Sequence, residues 1–292
     1  MAKLKMVNSN VINHKVMEQK EDLALLAEVD EIFKKRRDYI VRIPKPNEPV
    51  ITCLSGGLDS VSNIVILLEE LKVQVYPFFI ARGQTNYKWE KKAVDFYDKF
   101  FSKKYPNLYH KCLEIKLDIP GKAYKKDLIA TKCLDDNSLV RKRATYPARN
   151  PIIFLTGLEY GYSLQHKKIY PKTIFAATHT EDGAYHSCLT SLRCQNLVMC
   201  YITGDWSWQF TSIPLEREFG NYYSKARMLK FAHKCDIPLE YTRSCTSGDE
   251  LQCGLCTMAC MDRRQSFQKA GIEDKTKYAN PFPKNGKWKL TK

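Results

Sequence analysis

Apolar and polar residues follow a helical pattern near the start of the chain. Apolar side chains recur there at spacings of three and four, at Leu23, Leu26, Val29 and Phe33. This spacing predicts a helix to about Arg37, and Asp22 is a suitable N-cap because its carboxylate can accept a bond from a first-turn N–H. Three prolines between residues 44 and 49 then stop helical structure. Residues 1–48 are therefore interpreted as a helical N-terminal extension.

From residue 50 the pattern changes to short apolar runs that alternate with longer amphipathic stretches. The short runs predict strands at residues 50–54, 73–80, 112–117 and 173–177. The longer stretches predict helices at residues 61–71, 90–101, 151–164 and 224–234. Strands that alternate with helices are typical of an α/β fold with a doubly wound, mostly parallel sheet. Ligands of such folds bind beyond the carboxyl ends of the strands.

The sequence Ser-Gly-Gly-Leu-Asp-Ser follows the first of these strands and precedes its helix. Gly56 and Gly57 allow backbone N–H groups to approach a ligand, and the helix N-terminus favours an anion, so the segment is suited to phosphate. Ser55 and Ser60 add hydroxyl donors, while the Asp59 carboxylate could hold Mg²⁺. A plain strand-to-helix turn is the alternative, but five specified residues at fixed spacing rarely match by chance.

Cysteines form the second candidate site. The chain has 11 cysteines, an odd number, and no secretory signal, so reduced thiols are expected. Four of them lie close together near the C-terminus, at Cys245, Cys253, Cys256 and Cys260. Four thiolates can complete a tetrahedral Zn²⁺ shell, and residues 244–292 are interpreted as a zinc-binding region. A redox Cys-x-x-Cys pair and an iron–sulfur cluster are the alternatives.

Charge and hydropathy limit the class of protein. The chain has 47 basic and 32 acidic residues, a formal net charge of +15, which fits an anionic partner or a solvated basic surface equally well. No apolar run approaches the roughly 20 residues that span a bilayer, and no signal peptide is evident. A cytoplasmic protein without membrane contact is expected. Walker A and G-x-G-x-x-G motifs are both missing, which argues against γ-phosphate transfer and nicotinamide redox chemistry.

The glycine-rich loop resembles the Ser-Gly-Gly-x-Asp-Ser signature of PP-loop ATP pyrophosphatases, which are adenine nucleotide alpha hydrolase-like proteins. Further segments resemble the QueC family of 7-cyano-7-deazaguanine (preQ0) synthases, in the same order from about residue 51 to 278. They are Gly83-Gln84 with Glu90, Tyr-Pro-Ala-Arg-Asn at 146–150, Glu181-Asp182 with Tyr185 and Cys188, Pro214-Leu215 with Lys225, and the cysteine-rich segment 244–278.

The resemblance implies an ATP-dependent C–N ligase that releases AMP and pyrophosphate. Its substrate would be 7-carboxy-7-deazaguanine, whose carboxylate is adenylated, attacked by ammonia and dehydrated to the nitrile after a second activation. The loop residues and Gln84 would hold ATP, within an ATP-binding domain at 49–243. Arg149 and Lys225 would neutralise charge on the phosphates and the acyl adenylate, and Asp182 would bind Mg²⁺ or the substrate base. A homodimer is common in the family.

Four features depart from the family pattern. Three residues instead of two separate Cys256 from Cys260, so an extra residue must bulge. His186-Ser187-Cys188 stands where the family has Pro-Asp-Cys, which removes a carboxylate near the substrate. The N-terminal extension is additional, and residues 193–210 look reworked or lengthened.

Two interpretations of these departures remain open. One is divergence within preQ0 synthases. The other is a resemblance to QueC-like proteins of antiphage operons, including type IV CBASS, which would join the deazaguanine to a protein N-terminal amine instead of ammonia. A tRNA-modifying PP-loop enzyme is a third hypothesis, but no RNA-binding domain is recognisable and a nucleic-acid partner is not expected. A catalytically dead nucleotide-binding module fits poorly with the intact loop.

Overall fold

Seven strands are present in the computed structural model, which describes residues 21–117, 128–132, 139–143, 149–182, 185–222 and 224–280. They are β1 (Pro49–Cys53), β2 (Gln74–Ala81), β3 (Leu113–Lys116), β4 (Leu128–Lys132), β5 (Leu139–Arg143), β6 (Thr173–Phe175) and β7 (Gln209–Thr211). β4 and β5 form an antiparallel pair. The other five form one parallel sheet in the order β3-β2-β1-β6-β7.

Seven α-helices accompany these strands in the same described ranges. They are α1 (Leu23–Arg37), α2 (Leu58–Glu69), α3 (Tyr87–Lys104), α4 (Arg149–Gln165), α5 (Leu189–Thr203), α6 (Lys225–Lys234) and α7 (Asp262–Ala270). Because parallel strands need a crossover, a helix follows β1, β2 and β6 before the chain returns to the sheet.

Alternating side chains of the strands divide the interior into two cores. On β2, Val75 and Phe79 enter one core, while Tyr76, Phe78 and Ile80 enter the other. Helices α2, α3, α6 and α7 cover the first core, and α1, α4 and α5 cover the second. Both faces of the sheet are therefore buried under helices, as expected for continuous apolar strands. The predicted α/β, doubly wound and mostly parallel class is confirmed.

The elements predicted from periodicity are all present, with ends that differ by at most three residues. The N-cap is also confirmed, since Asp22 Oδ1 accepts a bond of 3.0 Å from Leu25 N. Helices α5 and α7, strand β7 and the β4–β5 pair were not predicted. The stretch at 193–210 consists mainly of α5 and the start of β7. Residues 1–20, 146–148 and 281–292 of the sequence predictions lie outside the described residues.

Buried charges attach the N-terminal helix to the second core. Arg193 of α5 donates from Nε to Asp30 Oδ1 of α1 at 2.7 Å and from Nη2 to Glu216 Oε2 at 2.8 Å. Glu21 accepts bonds of 2.8 Å from both Leu189 N and Thr190 N, and so caps the start of α5. The segment that precedes β1 is thus tied to the α/β unit through α5.

No helix in the described ranges is both long and apolar enough to cross a membrane.

Replacing Arg193 with Met tests this attachment. The substitution leaves the carboxylates of Asp30 and Glu216 buried without their cation, which is expected to lower the free energy of unfolding by about 3–5 kcal/mol. Chemical denaturation followed by circular dichroism measures the change. As a control, Lys34→Met breaks the exposed Lys34–Glu31 pair and should leave the midpoint within error of wild type. A loss below about 1 kcal/mol in Arg193→Met would show that the triad is not needed.

Candidate active site

A cavity of about 440 Å³ opens at the carboxyl ends of β1 and β6. In the sheet, β2 and β3 lie on one side of β1, and β6 and β7 lie on the other. The strand order therefore reverses direction between β1 and β6, and this switch point is where α/β sheets bind ligands. Its volume falls within the usual range of small-molecule sites. Eight residues of the sequence prediction line it, namely Ser55, Gly57, Asp59, Ser60, Gln84, Arg149, Asp182 and Lys225.

The glycine-rich loop has a backbone shape that only glycine allows at one position. Gly56 has φ +71°, and a Cβ there would lie 2.8 Å from the Ala93 Cβ, so a side chain would clash with α3. Gly57 precedes α2 in extended conformation, and its N–H donates to Ser55 Oγ at 3.3 Å. The Ser55 and Ser60 hydroxyls lie 3.0 Å apart. The loop therefore directs hydroxyls and the N-terminus of α2 to one place, which suits a phosphate group.

Lys225 lies at the centre of a buried charge cluster beside this loop. Its Nζ donates to Asp59 Oδ2 at 3.0 Å and to Asp262 Oδ2 at 2.6 Å. Burial alone would lower the pKa of Lys225, but the two carboxylates outweigh it and raise the pKa above its ordinary value. The ammonium is therefore present at neutral pH, inside the cavity, between two different helices.

The second oxygen of Asp59 has the character of a ligand atom. Asp59 Oδ1 is buried and has no hydrogen-bond partner within the residues that the structure describes. His179 Nε2 lies 3.8 Å from it, and the His179 Nδ1 atom likewise has no partner in those ranges. A carboxylate oxygen in this state fits a hard cation such as Mg²⁺.

Asp182 holds a tight turn beside the cavity. Its N–H donates to His179 O at 3.0 Å, and its Oδ2 accepts from His179 N at 3.4 Å. Its neighbour Glu181 forms an ion pair of 3.1 Å with Lys269 of α7. Asp182 thus lines the cavity, while part of its carboxylate stabilises the loop after β6.

Gln84 lines the cavity, but its amide is already engaged. Nε2 donates to Glu90 Oε2 at 2.8 Å and to Ile80 O at 3.3 Å, and Oε1 accepts from Arg82 N at 2.9 Å. The Gln84 side chain therefore orients Glu90 as well as facing the ligand space.

Several cavity residues were not assigned a role from the sequence. Asp262, Arg243 and Glu90 had no assignment, and His179 was set aside as a structural histidine. Asp262 follows the last clustered cysteine by two positions, and this adjacency is the signal that could have identified it.

The four clustered cysteines converge on one point. The Cys253 and Cys260 sulfurs lie 3.8 Å apart, those of Cys245 and Cys256 lie 4.0 Å apart, and all four fall within 4.8 Å of one another. Four sulfurs at about 2.3 Å from one Zn²⁺ would be about 3.8 Å apart, so the spacing fits a single tetrahedral ion. This cluster could therefore hold a metal ion.

The additional residue between Cys256 and Cys260 is accommodated by a helical bulge. Residues Thr257–Met261 form a single π-helical turn, in which Met261 N donates to Cys256 O at 3.0 Å. Such turns absorb one extra residue without breaking the helix. The predicted bulge is confirmed, and it leads directly into Asp262 at the start of α7.

Arg243 connects the cysteine cluster to the glycine-rich loop. Its backbone N–H donates to Gly56 O at 2.8 Å. Its guanidinium donates to the carbonyl oxygens of Cys245, Ser247, Asp249 and Glu250, at 2.7–3.1 Å. The cysteine region is thus part of the cavity wall.

Comparison with known proteins identifies the family. The family model described as queuosine biosynthesis protein QueC matches residues 49–271, more than two thirds of the chain. The chain belongs to the QueC family. It is 28% identical over 234 residues to the 7-cyano-7-deazaguanine synthase of Thermoplasma volcanium, a match that covers 78% of this chain and 90% of that protein. It is 30% identical to the 7-cyano-7-deazaguanine synthase of Acetivibrio thermocellus, with 78% and 96% covered.

Among solved structures, the chain is similar to the U34-tRNA thiolase NcsA from Methanococcus maripaludis with its [4Fe-4S] cluster. The identity is 16% and the TM-score 0.36, over 74% of this chain and 66% of that chain.

The resemblance to QueC inferred from the sequence is confirmed, and the match begins at residue 49, where the predicted extension ends. The roles given to the individual site residues stay predictions, as do the domain boundaries, the use of ATP and Mg²⁺ and the homodimer.

Removing one cysteine tests the metal cluster. Freshly purified wild-type protein is expected to contain about one metal ion per chain by plasma mass spectrometry, and Cys256→Ala should lose it because three thiolates leave the shell open. Its thermal midpoint should fall as well. Cys194→Ala, a cysteine outside the cluster, is the matched control and should keep the metal. A wild-type metal content near zero, measured under reducing conditions, would contradict the assignment.

Proposed function

We propose that this QueC-family chain is a 7-cyano-7-deazaguanine synthase, which adenylates 7-carboxy-7-deazaguanine with ATP and passes the acyl group to ammonia. The observation that carries the proposal is the juxtaposition of the glycine-rich loop with Lys225 and its two carboxylates in a single cavity. The names of the QueC relatives supply the substrate class.

The chemistry requires two activations. A carboxylate oxygen of the acid attacks the α-phosphorus of ATP, pyrophosphate leaves, and ammonia then displaces AMP from the acyl carbon to give an amide. The amide oxygen attacks a second ATP in the same way, and loss of AMP with two protons leaves the nitrile. Both oxygens of the acid therefore depart in AMP, and two ATP yield two AMP and two pyrophosphate.

The residues of the cavity would stabilise the negative charge of these steps. The loop N–H groups and the hydroxyls of Ser55 and Ser60 would bind the leaving pyrophosphate. Lys225 and Arg149 would act on the charge that develops at the α-phosphate, where fixed cations in a buried site are most effective. Asp59 would hold Mg²⁺ through Oδ1, and the ion would offset phosphate charge.

We assign Zn²⁺ to the four-cysteine cluster, with a structural role. All four positions of a tetrahedral ion would be filled by thiolates, which leaves none open for substrate. The ion would fix the turn that carries Asp262. Thiolate ligands need a reducing environment, so a cytoplasmic location is part of the proposal.

A protein N-terminal amine is the alternative acceptor. The changed His-Ser-Cys segment lies beside the cavity, because Asn150, a cavity residue, donates to His186 O at 2.8 Å and to Ser187 Oγ at 3.2 Å. A different acceptor would need a change at such a position. This alternative would require one activation only and would produce no nitrile.

Product analysis distinguishes the acceptors. The protein is mixed with ATP, Mg²⁺ and 7-carboxy-7-deazaguanine, with and without ammonium, and AMP and the base are followed by mass spectrometry. The nitrile with two AMP per base is the expected result. AMP or a retained adenylate without nitrile would point to another amine, and no AMP in either condition would overturn the proposal.

Lys225→Ala tests the charge cluster. Loss of the ammonium is expected to reduce AMP release by at least about 10²-fold, since it removes a cation directed at the developing phosphate charge. Lys230→Ala removes an exposed lysine of the same helix and should retain wild-type turnover. Thermal unfolding of both variants verifies the fold. Wild-type AMP release by folded Lys225→Ala would show that Lys225 takes no part.

A further inference from the structure

Glu90 is a cavity carboxylate that the proposed reaction has not used. It belongs to the first turn of α3, next to the glycine-rich loop, where its backbone oxygen packs against Gly56. Each of its carboxylate oxygens accepts one amide N–H, Oε2 from Gln84 Nε2 at 2.8 Å and Oε1 from Asn86 Nδ2 at 2.9 Å. The two oxygens are therefore held side by side in a defined plane.

The two amides that hold Glu90 are themselves fixed. Gln84 is 4% and Asn86 1% exposed. Arg82 N donates to Gln84 Oε1, and Asn86 Nδ2 also donates to Cys245 O at 3.1 Å. These bonds define which end of each amide points to Glu90. An ionised carboxylate has about four acceptor positions and the amides occupy two, so two remain for a ligand.

The surroundings of Glu90 are suited to a polar planar ligand. Burial, and then the negative charge of Glu90, raise the pKa of the Cys53 thiol at the end of β1 to about 12, while Arg149 and Arg82 act in the opposite direction. Glu90, Cys53, Arg82 and Arg149 all line the same cavity. Phe79 and Ile80 of β2 add apolar lining.

We propose that Glu90 is the specificity residue for a guanine-type base, accepting hydrogen bonds from its N1–H and its 2-amino group. The inference rests on the proposed function, since 7-carboxy-7-deazaguanine presents these two donors side by side. Adenine presents an acceptor, N1, next to its amino donor, so the carboxylate would repel the lone pair of N1. Glu90 would therefore also keep the adenine of ATP out of the substrate position.

An analogue without the 2-amino group tests the assignment. Affinities for 7-carboxy-7-deazaguanine and 7-carboxy-7-deazahypoxanthine are measured by calorimetry, which needs no turnover, and kcat/KM by AMP release. Wild-type protein should prefer the guanine compound by about 10²-fold, the upper range for one bidentate pair. In Glu90→Gln, which has one acceptor and one donor, the preference should fall below about threefold. The KM for ATP should not change.

Glu114→Gln is the matched control. Glu114 lies on β3, is not among the cavity residues, and accepts a bond of 2.7 Å from Tyr87 OH of the same helix α3. This variant should keep the wild-type preference between the two compounds.

Several results would overturn the assignment. The first is that Glu90→Gln binds both compounds with the wild-type ratio. The second is that it needs more Mg²⁺ at unchanged base affinity, and the third is a shifted pH profile of kcat at unchanged base affinity. The last two would make Glu90 a metal ligand or a proton acceptor. If wild-type protein prefers the guanine compound over the hypoxanthine compound but releases no AMP, the proposed function alone is refuted. If wild-type protein binds neither compound, both the proposed function and the role of Glu90 are refuted.

Discussion

The buried contact of Lys225 with Asp59 and Asp262 is the interaction on which the site depends. An ammonium inside a protein is strongly destabilising unless carboxylates compensate it, so both aspartates must be in place for the site to form. They come from different elements, Asp59 from the first turn of α2 and Asp262 from the start of α7. The positions of the glycine-rich loop, α6 and the C-terminal region are therefore coupled through one side chain.

This coupling makes the cysteine cluster part of the active-site architecture. The π-helical turn that contains Cys260 ends at Met261, directly before Asp262, so a shift in the cluster would move a partner of Lys225. Arg243 links the same region to Gly56, and Asn86 links it to the segment that carries Glu90. A metal ion in the cluster would thus fix three walls of the cavity while remaining outside the chemistry.

Sequence periodicity predicted the elements whose buried faces are apolar, and it failed where burial is polar. Helix α5 buries Arg193 and Asn196, two residue types that a sequence pattern places on the solvent side. Arg193 is buried because the fold brings the carboxylates of Asp30 and Glu216 to it. Strand β7 is as short as β6, but it buries the polar residues Gln209 and Thr211 and so lacks the apolar run that indicated β6. Contiguous motifs gave the eight predicted residues that line the cavity. Asp262 was not assigned because its partner Lys225 is 37 residues away in sequence and is brought to it by tertiary packing. The partners of Glu90 are local, but only the fold shows that its carboxylate faces the cavity.

The separation of charges within the cavity suggests how one site can handle two purine-like ligands. The ammonium of Lys225 partly neutralises the carboxylates of Asp59 and Asp262. In the proposed reaction, the same ammonium would also attract the phosphates of ATP. Glu90 accepts hydrogen bonds from two neutral amides instead, so its remaining acceptor positions stay available to a ligand beside Arg82 and Arg149. In the proposed reaction, an anionic nucleotide would favour the region of Lys225 and the α2 N-terminus, while the donor edge of a guanine-type base would favour Glu90. Discrimination between the two ligands would then follow from whether a carboxylate is hydrogen-bonded to an ammonium, as Asp59 and Asp262 are, or to amides, as Glu90 is among the described residues.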